Sequence, residues 1–180
     1  MYPIQLSGSQ VFLREFGADD LDAVMTVVGD DRVTESLSFD TRSRELATGM
    51  LNGIISRAKQ EPRNEYYLAI NTSENGLVGF ARLGLSGVQA AKLGGAVAAD
   101  YWGRGYATDA VRTLMDFGFR ELKLHRISAA MGPDNTASIA IVGRLGMTYE
   151  GRIRDHVYTN GQWRDSLLYS VLANEWFAAL

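Results

Sequence analysis

The segment Asp100-Tyr101-Trp102-Gly103-Arg104-Gly105-Tyr106-Ala107-Thr108 sets two glycines just ahead of a helical pattern. Glycine lets backbone N–H groups turn toward a common point. The first turn of a helix adds unpaired donors and the positive end of its dipole. Such a turn suits a pyrophosphate. A Walker loop needs Gly-Lys followed by Ser or Thr, and that is absent. A Rossmann fingerprint needs Gly or Ala where Thr108 stands, near the first strand, whereas this loop lies past mid-chain. A glycine-rich turn that holds no ligand is the bland alternative.

The other side chains narrow the chemistry. The chain has 180 residues and no cysteine, which removes disulfides, thiolate metal sites and an acyl-cysteine enzyme. Its two histidines, His125 and His156, lie far apart in sequence, which disfavours a histidine metal site. A formal charge of −3 argues against nucleic acid as a partner. No apolar stretch approaches the roughly 18–20 residues of a membrane span. The N-terminus lacks a basic region followed by an apolar run. The expectation is a single cytoplasmic domain over residues 1–180, without metal and without a membrane partner.

The elements that must position these residues follow from periodicity. Val11 to Glu15 reads as a strand. Leu21, Val24, Met25 and Val28 are spaced for a helix behind Asp19 and Asp20, and Leu46 to Ala58 carries a second helical stripe. A polar loop, Asp30 to Asp40, joins them. Tyr66 to Ile70 and Leu77 to Leu85 read as strands around an Asn-Gly turn. Ala91 to Ala98 is a third, in which Gly94-Gly95 suggests a bulge or a close backbone approach. Ala107 to Leu122 marks a long helix and Ile127 to Met131 a short strand. Asn135 caps a helix that Gly146 stops. Gly151 to Thr159 and Gln162 to Leu172 form a closing hairpin around Asn160-Gly161. This order fits an α/β or α+β fold with one mixed sheet.

Trp102-Gly103-Arg104-Gly105-Tyr106-Ala107 resembles the acyl-CoA loop of the GCN5-related N-acetyltransferases (GNAT), Gln/Arg-x-x-Gly-x-Gly/Ala. Only Trp102 departs, which implies loss of one polar contact with the backbone cradle kept. Trp-Gly-x-Gly-Tyr-Ala-Thr is similar to the RimJ/RimL-like branch. Pro133-Asp134-Asn135-Thr136-Ala137-Ser138 with Gly143-Arg144-Leu145-Gly146-Met147 resembles the family's Asn-x-x-Ser helix and its ending. Glu150-Gly151 and Asn160-Gly161-Gln162-Trp163-Arg164-Asp165 resemble the closing strands of that branch. The resemblance spans about residues 9 to 175.

It implies a mixed, mostly antiparallel sheet flanked by helices, whose splayed strands form the CoA cleft. It implies acetyl-CoA as co-substrate and a primary amine as acceptor, attacking directly in a ternary complex. Backbone N–H groups near Val97 and Ala98 would meet pantetheine or the thioester carbonyl. The N–H groups of Gly103, Arg104, Gly105, Tyr106, Ala107 and Thr108 would hold the pyrophosphate. Asn135 would contact pantetheine, unless it is a plain cap. Arg104 and Arg144 would approach phosphates, or serve as a solvated loop charge and a helix-end charge. Many relatives carry a tyrosine acid where this chain has Val142. Ser138 is the branch's substitute, able to donate a hydrogen bond to sulfur.

The attacking amine must be neutral. An α-amine, with a pKa near 7.7–8.0, is roughly a tenth neutral at pH 7, whereas a lysine amine costs about 4–5 kcal/mol to deprotonate. No decisive base stands out among Glu35 and Asp40, in the loop where the family shapes its acceptor pocket, and Asp155 and His156 on the penultimate strand. A protein N-terminal α-amine is therefore the first acceptor expected. A polyamine or antibiotic is second, since Asp30, Asp31, Glu35 and Asp40 could attract a cation. Gly94-Gly95 leaves room for a larger acyl donor such as succinyl-CoA, and a CoA-binding module without catalysis is a further alternative. Trp163, beside the hairpin turn, leaves a homodimer open.

Overall fold

A computed structural model describes residues 1–179. One eight-stranded sheet organises the chain. Its strands are β1 (Gln5–Ser7), β2 (Phe12–Arg14), β3 (Glu65–Thr72), β4 (Gly76–Leu85), β5 (Ala90–Val97), β6 (Arg126–Met131), β7 (Thr148–Thr159) and β8 (Gln162–Leu172). They lie in the order β1-β2-β3-β4-β5-β6-β8-β7. All neighbours are antiparallel except β5 and β6. The helices are α1 (Leu21–Val28), α2 (Asp31–Thr34), α3 (Arg44–Ala58), α4 (Tyr106–Arg120), α5 (Thr136–Arg144) and α6 (Ala173–Ala178).

Helices cover both faces, so β3 and β4 read as nearly unbroken apolar runs rather than alternating ones. On one face Leu68, Leu83 and Ile127 of the sheet pack with Leu114 and Met115 of α4. On the other Tyr67 and Phe80 of the sheet pack with Val27 and Val28 of α1 and Leu51 and Ile54 of α3. Positive φ angles at Asn160 and Gly161 close the β7–β8 hairpin as the Asn-Gly pair predicts.

Three short elements escape the periodicity reading. β1, α2 and α6 are too brief to show a period. The Asp30 to Asp40 loop thus contains a helical turn, capped by the Asp30 carboxylate on the Arg32 N–H at 2.9 Å. Gly94-Gly95 makes no bulge, since the β4–β5 register runs unbroken. Close approach is the reason for Gly95, where a Cβ would lie 2.9 Å from the Phe80 carbonyl oxygen.

The sheet opens at its middle. β5 pairs with β6 only from Ala90↔Arg126 to Leu93↔Ala129. Beyond that, Gly94 to Val97 continue against β4, while Ala130 and Met131 continue against β8. The two strands part into a fork that faces the N-terminus of α4 and the start of α5.

Candidate active site

The turn that follows β5 is shaped by two glycines in the left-handed region, Gly103 at φ 73° and Gly105 at φ 82°. The first hydrogen bond of α4 runs from the Asp109 N–H to the Gly105 carbonyl at 3.0 Å. The N–H groups of Gly103, Arg104, Gly105, Tyr106, Ala107 and Thr108 have no partner among the described residues. Consecutive free donors at a helix N-terminus are a ready seat for a diphosphate. Arg104 is exposed and lies over the Tyr101 ring at 5.3 Å. Trp102 makes a contact within the protein: its indole N–H donates to the Val97 carbonyl at 2.8 Å.

Register decides which groups of β5 face the fork. The Ala98 N–H donates to the Val78 carbonyl at 2.8 Å, so it points into β4. Antiparallel pairs alternate, which turns the N–H and C=O of Val97 and Gly95 away from β4 and toward the gap. Val97 thus presents its N–H to the gap. The Ala98 N–H, expected near the donor, is spent on β4, and Gly95 shares the outward direction of Val97.

Across the fork, Asn135 caps α5, its Oδ1 accepting the Ser138 N–H at 3.1 Å. Its side-chain N–H groups have no partner among the described residues. The Ser138 hydroxyl makes no hydrogen bond there either, so it is not spent on a nearby backbone carbonyl. Arg144 is exposed in the last turn of α5, at the end remote from Ser138, and pairs with no carboxylate among the described residues. Val142 is buried in the core beneath α5.

On the opposite face, α2 and the segment after it lie against the β7–β8 hairpin. Arg164 donates to the carbonyls of Glu35 at 2.6 Å and Leu37 at 2.5 Å. Asp40 accepts the Asn160 N–H at 2.8 Å, so its carboxylate anchors the hairpin turn. Asp155 and His156 sit in an irregular stretch where the register jumps between Ile153 and Val157. Asp155, at φ 47°, donates its N–H to Asp165 at 2.9 Å. That bond, with the Arg152 side chain, holds the Asp165 carboxyl below its ordinary range. His156 Nδ1 lies 2.9 Å from the hydroxyl of buried Ser166. The fold thus brings Glu35, Asp155 and His156 to one rim, all exposed, while Ser138 and the phosphate turn lie on the other side of the fork.

One positioning residue carried no sequence signal. Asp109 accepts the N–H groups of Ser9 (3.1 Å), Gln10 (2.7 Å) and Val11 (3.0 Å), and the Ser9 hydroxyl (2.9 Å). These bonds fix the chain before β2 against the first turn of α4, with Gln10 beside Gly105. An acid in a first helical turn reads as a dipole complement, and nothing in the spacing links it to residues a hundred positions away.

The family model described as acetyltransferase (GNAT) domain matches residues 10–148. The uncharacterized N-acetyltransferase p20 of Bacillus licheniformis is 28% identical over 167 residues, covering 91% of this chain and 93% of that protein. Mycobacterium smegmatis RimJ, solved in complex with CoA-disulfide, superposes with a TM-score of 0.84 at 24% identity, covering 99% of this chain and 95% of that one. RimL, a ribosomal L7/L12 alpha-N-protein acetyltransferase solved with coenzyme A, superposes with a TM-score of 0.81 at 21% identity, covering 94% and 98%. With most of its length under that model and a forked sheet beside a turn of free N–H groups, the chain belongs to the GNAT acetyltransferases and is an acetyl-CoA-dependent N-acetyltransferase.

Proposed function

We propose that this N-acetyltransferase acts on the α-amine of a protein N-terminus, by direct attack within a ternary complex. The observation that carries this choice is the acceptor rim. Its titratable side chains, Glu35, Asp155 and His156, are all exposed, and none is enclosed by apolar side chains. An α-amine needs only a weak base or a water; a lysine amine needs far more. Of the four acidic residues that could attract a cationic acceptor, Asp30 is already neutralised by Arg32.

The residues divide the work. The N–H groups of Gly103 to Thr108 bind the diphosphate of the donor, and Trp102 fixes that turn to the end of β5. The N–H groups of Gly95 and Val97 face the fork, where they would polarise an acyl carbonyl. The free N–H groups of Asn135 orient the donor's amides. Ser138 donates its hydroxyl proton as a hydrogen bond where negative charge grows on the leaving sulfur. His156, its ring fixed by Ser166, receives the amine proton at its other nitrogen. Bound acetyl-CoA supplies an activated thioester.

The test has two stages. Millimolar acetyl-CoA raises the melting temperature, since a ligand that binds only the folded state stabilises it. Thiol release is then followed with Ser- and Ala-initiated peptides, spermidine, an aminoglycoside and a blocked lysine, using acetyl-CoA and succinyl-CoA in parallel. The peptides with acetyl-CoA give the highest kcat/KM. Spermidine ahead of every peptide refutes the α-amine assignment, and binding without turnover on any amine identifies a sensor.

A further inference from the structure

On the face that carries α1 and α3, at the paired end of β5 ahead of the fork, lies a polar cleft of about 380 Å³ between the end of α3 and the strands β3, β4 and β5. Register places its residues. Glu65 lies opposite Gly84, Gly84 opposite Lys92, and Arg82 opposite Gly94. They share the face of Tyr67 and Phe80, which lie beneath α1 and α3. Arg57 and Arg82 both bind the single carboxylate of Glu65, at 2.6 and 2.9 Å. Lys92 is exposed and makes no ion pair or hydrogen bond among the described residues. Three cations therefore face one carboxylate, with Gln60, Asn64 and Ser86 as neutral neighbours. Farther along the same face Arg126 and Glu150 neutralise each other.

We infer that this cleft is an anion site that reads acidic side chains near the start of the acceptor peptide. This rests on the α-amine reading given above. The distance supports it. Lys92 precedes the first fork residue, Gly94, by two positions on the same face, about 7 Å at the rise of a strand. An extended peptide advances about 3.3–3.6 Å per residue. With its amine at the fork, the side chains of its third and fourth residues come within reach of Lys92 and Arg82. A carboxylate there meets the unpaired ammonium of Lys92 and shares Arg82 with Glu65. A lysine at the same place meets three cations.

The experiment uses two fluorescein-labelled decapeptides with a free N-terminal Ser, differing only at residues three and four: Asp-Asp against Lys-Lys. Anisotropy is measured with the full chain in the presence of coenzyme A. The acidic peptide binds about tenfold tighter at low salt, and the ratio shrinks as salt rises. Lys92→Glu brings the ratio to about one or inverts it, and Lys92→Gln falls between. Affinity for acetyl-CoA stays unchanged in both variants, which also shows that they fold. Equal affinities, absence of binding by either peptide, or a ratio indifferent to Lys92→Glu overturns the inference. Thiol release on the same peptides judges the α-amine reading separately, because the binding ratio decides the cleft whether or not either peptide is acetylated.

Discussion

Trp102 donates its indole N–H to the carbonyl of Val97, tying the start of the phosphate turn to the last residue of β5. At the position that departs from the family's Gln/Arg pattern, the polar group is thus bonded within the protein while the ring stays exposed. Trp102→Phe removes the bond and keeps an aromatic ring. One neutral hydrogen bond contributes about 1 kcal/mol, so the acetyl-CoA dissociation constant rises about fivefold. Isothermal titration checks this, and an unaltered constant shows that the tether has no part in shaping the turn.

Gly105 stands at φ 82°, and a Cβ there would lie 3.2 Å from the Gln10 side-chain nitrogen. Gly105→Val is strained by about 1–2 kcal/mol from the backbone angle alone, worse for a β-branched residue. The turn relaxes and its N–H groups lose their common focus. Acetyl-CoA affinity falls by at least about tenfold. A valine variant with full affinity would place the diphosphate elsewhere.

Asp109 titrates below the ordinary carboxylate range. Burial alone would raise it, but the N–H bonds from Gln10, Ser9 and Val11 prevail. The carboxylate therefore stabilises the folded chain fully above its unfolded pKa of about 3.9, and that contribution is lost as pH falls through the lower folded value. Asp109→Asn is less stable than the parent by about 2 kcal/mol at pH 7. The gap narrows in acid. Urea unfolding at a series of pH values follows it; a gap independent of pH contradicts the assignment.

Ser138→Ala deletes a hydroxyl that holds no structural bond. Turnover falls by about tenfold or more, while acetyl-CoA affinity moves less than about twofold. Steady-state kinetics beside direct binding separate the two. Equal losses in both would make Ser138 a binding residue and not a partner of the leaving sulfur.

Arg164 spans two carbonyls with one planar group. A lysine cannot hold both in that geometry. Arg164→Lys therefore loosens the Glu35–Leu37 segment from the hairpin, raising the acceptor KM about three- to tenfold with acetyl-CoA affinity intact. A rise in the donor constant instead would mean that the segment serves the other substrate.

Much of the donor half was legible in the sequence, because it is built from backbone. Gly103 and Gly105 declare their φ angles, Asn135 declares a cap, and strand then helix declares the turn between them. The acceptor half was not, because it is made by side chains reaching across the chain. Arg164 to Glu35 and Asp40 to Asn160 join residues more than a hundred positions apart. Asp40 shows the consequence: read as a candidate base, it turns out to anchor a hairpin. Ala98 shows a finer limit, since a one-residue step along a strand reverses which neighbour its N–H addresses.

Because β5 and β6 share a ladder of only four paired positions, the sheet behaves as two panels on a short hinge. A donor chain threaded between them would lace the panels together, its own amides completing rungs that the protein leaves open. Cofactor occupancy and the mechanical stiffness of the molecule are then one property.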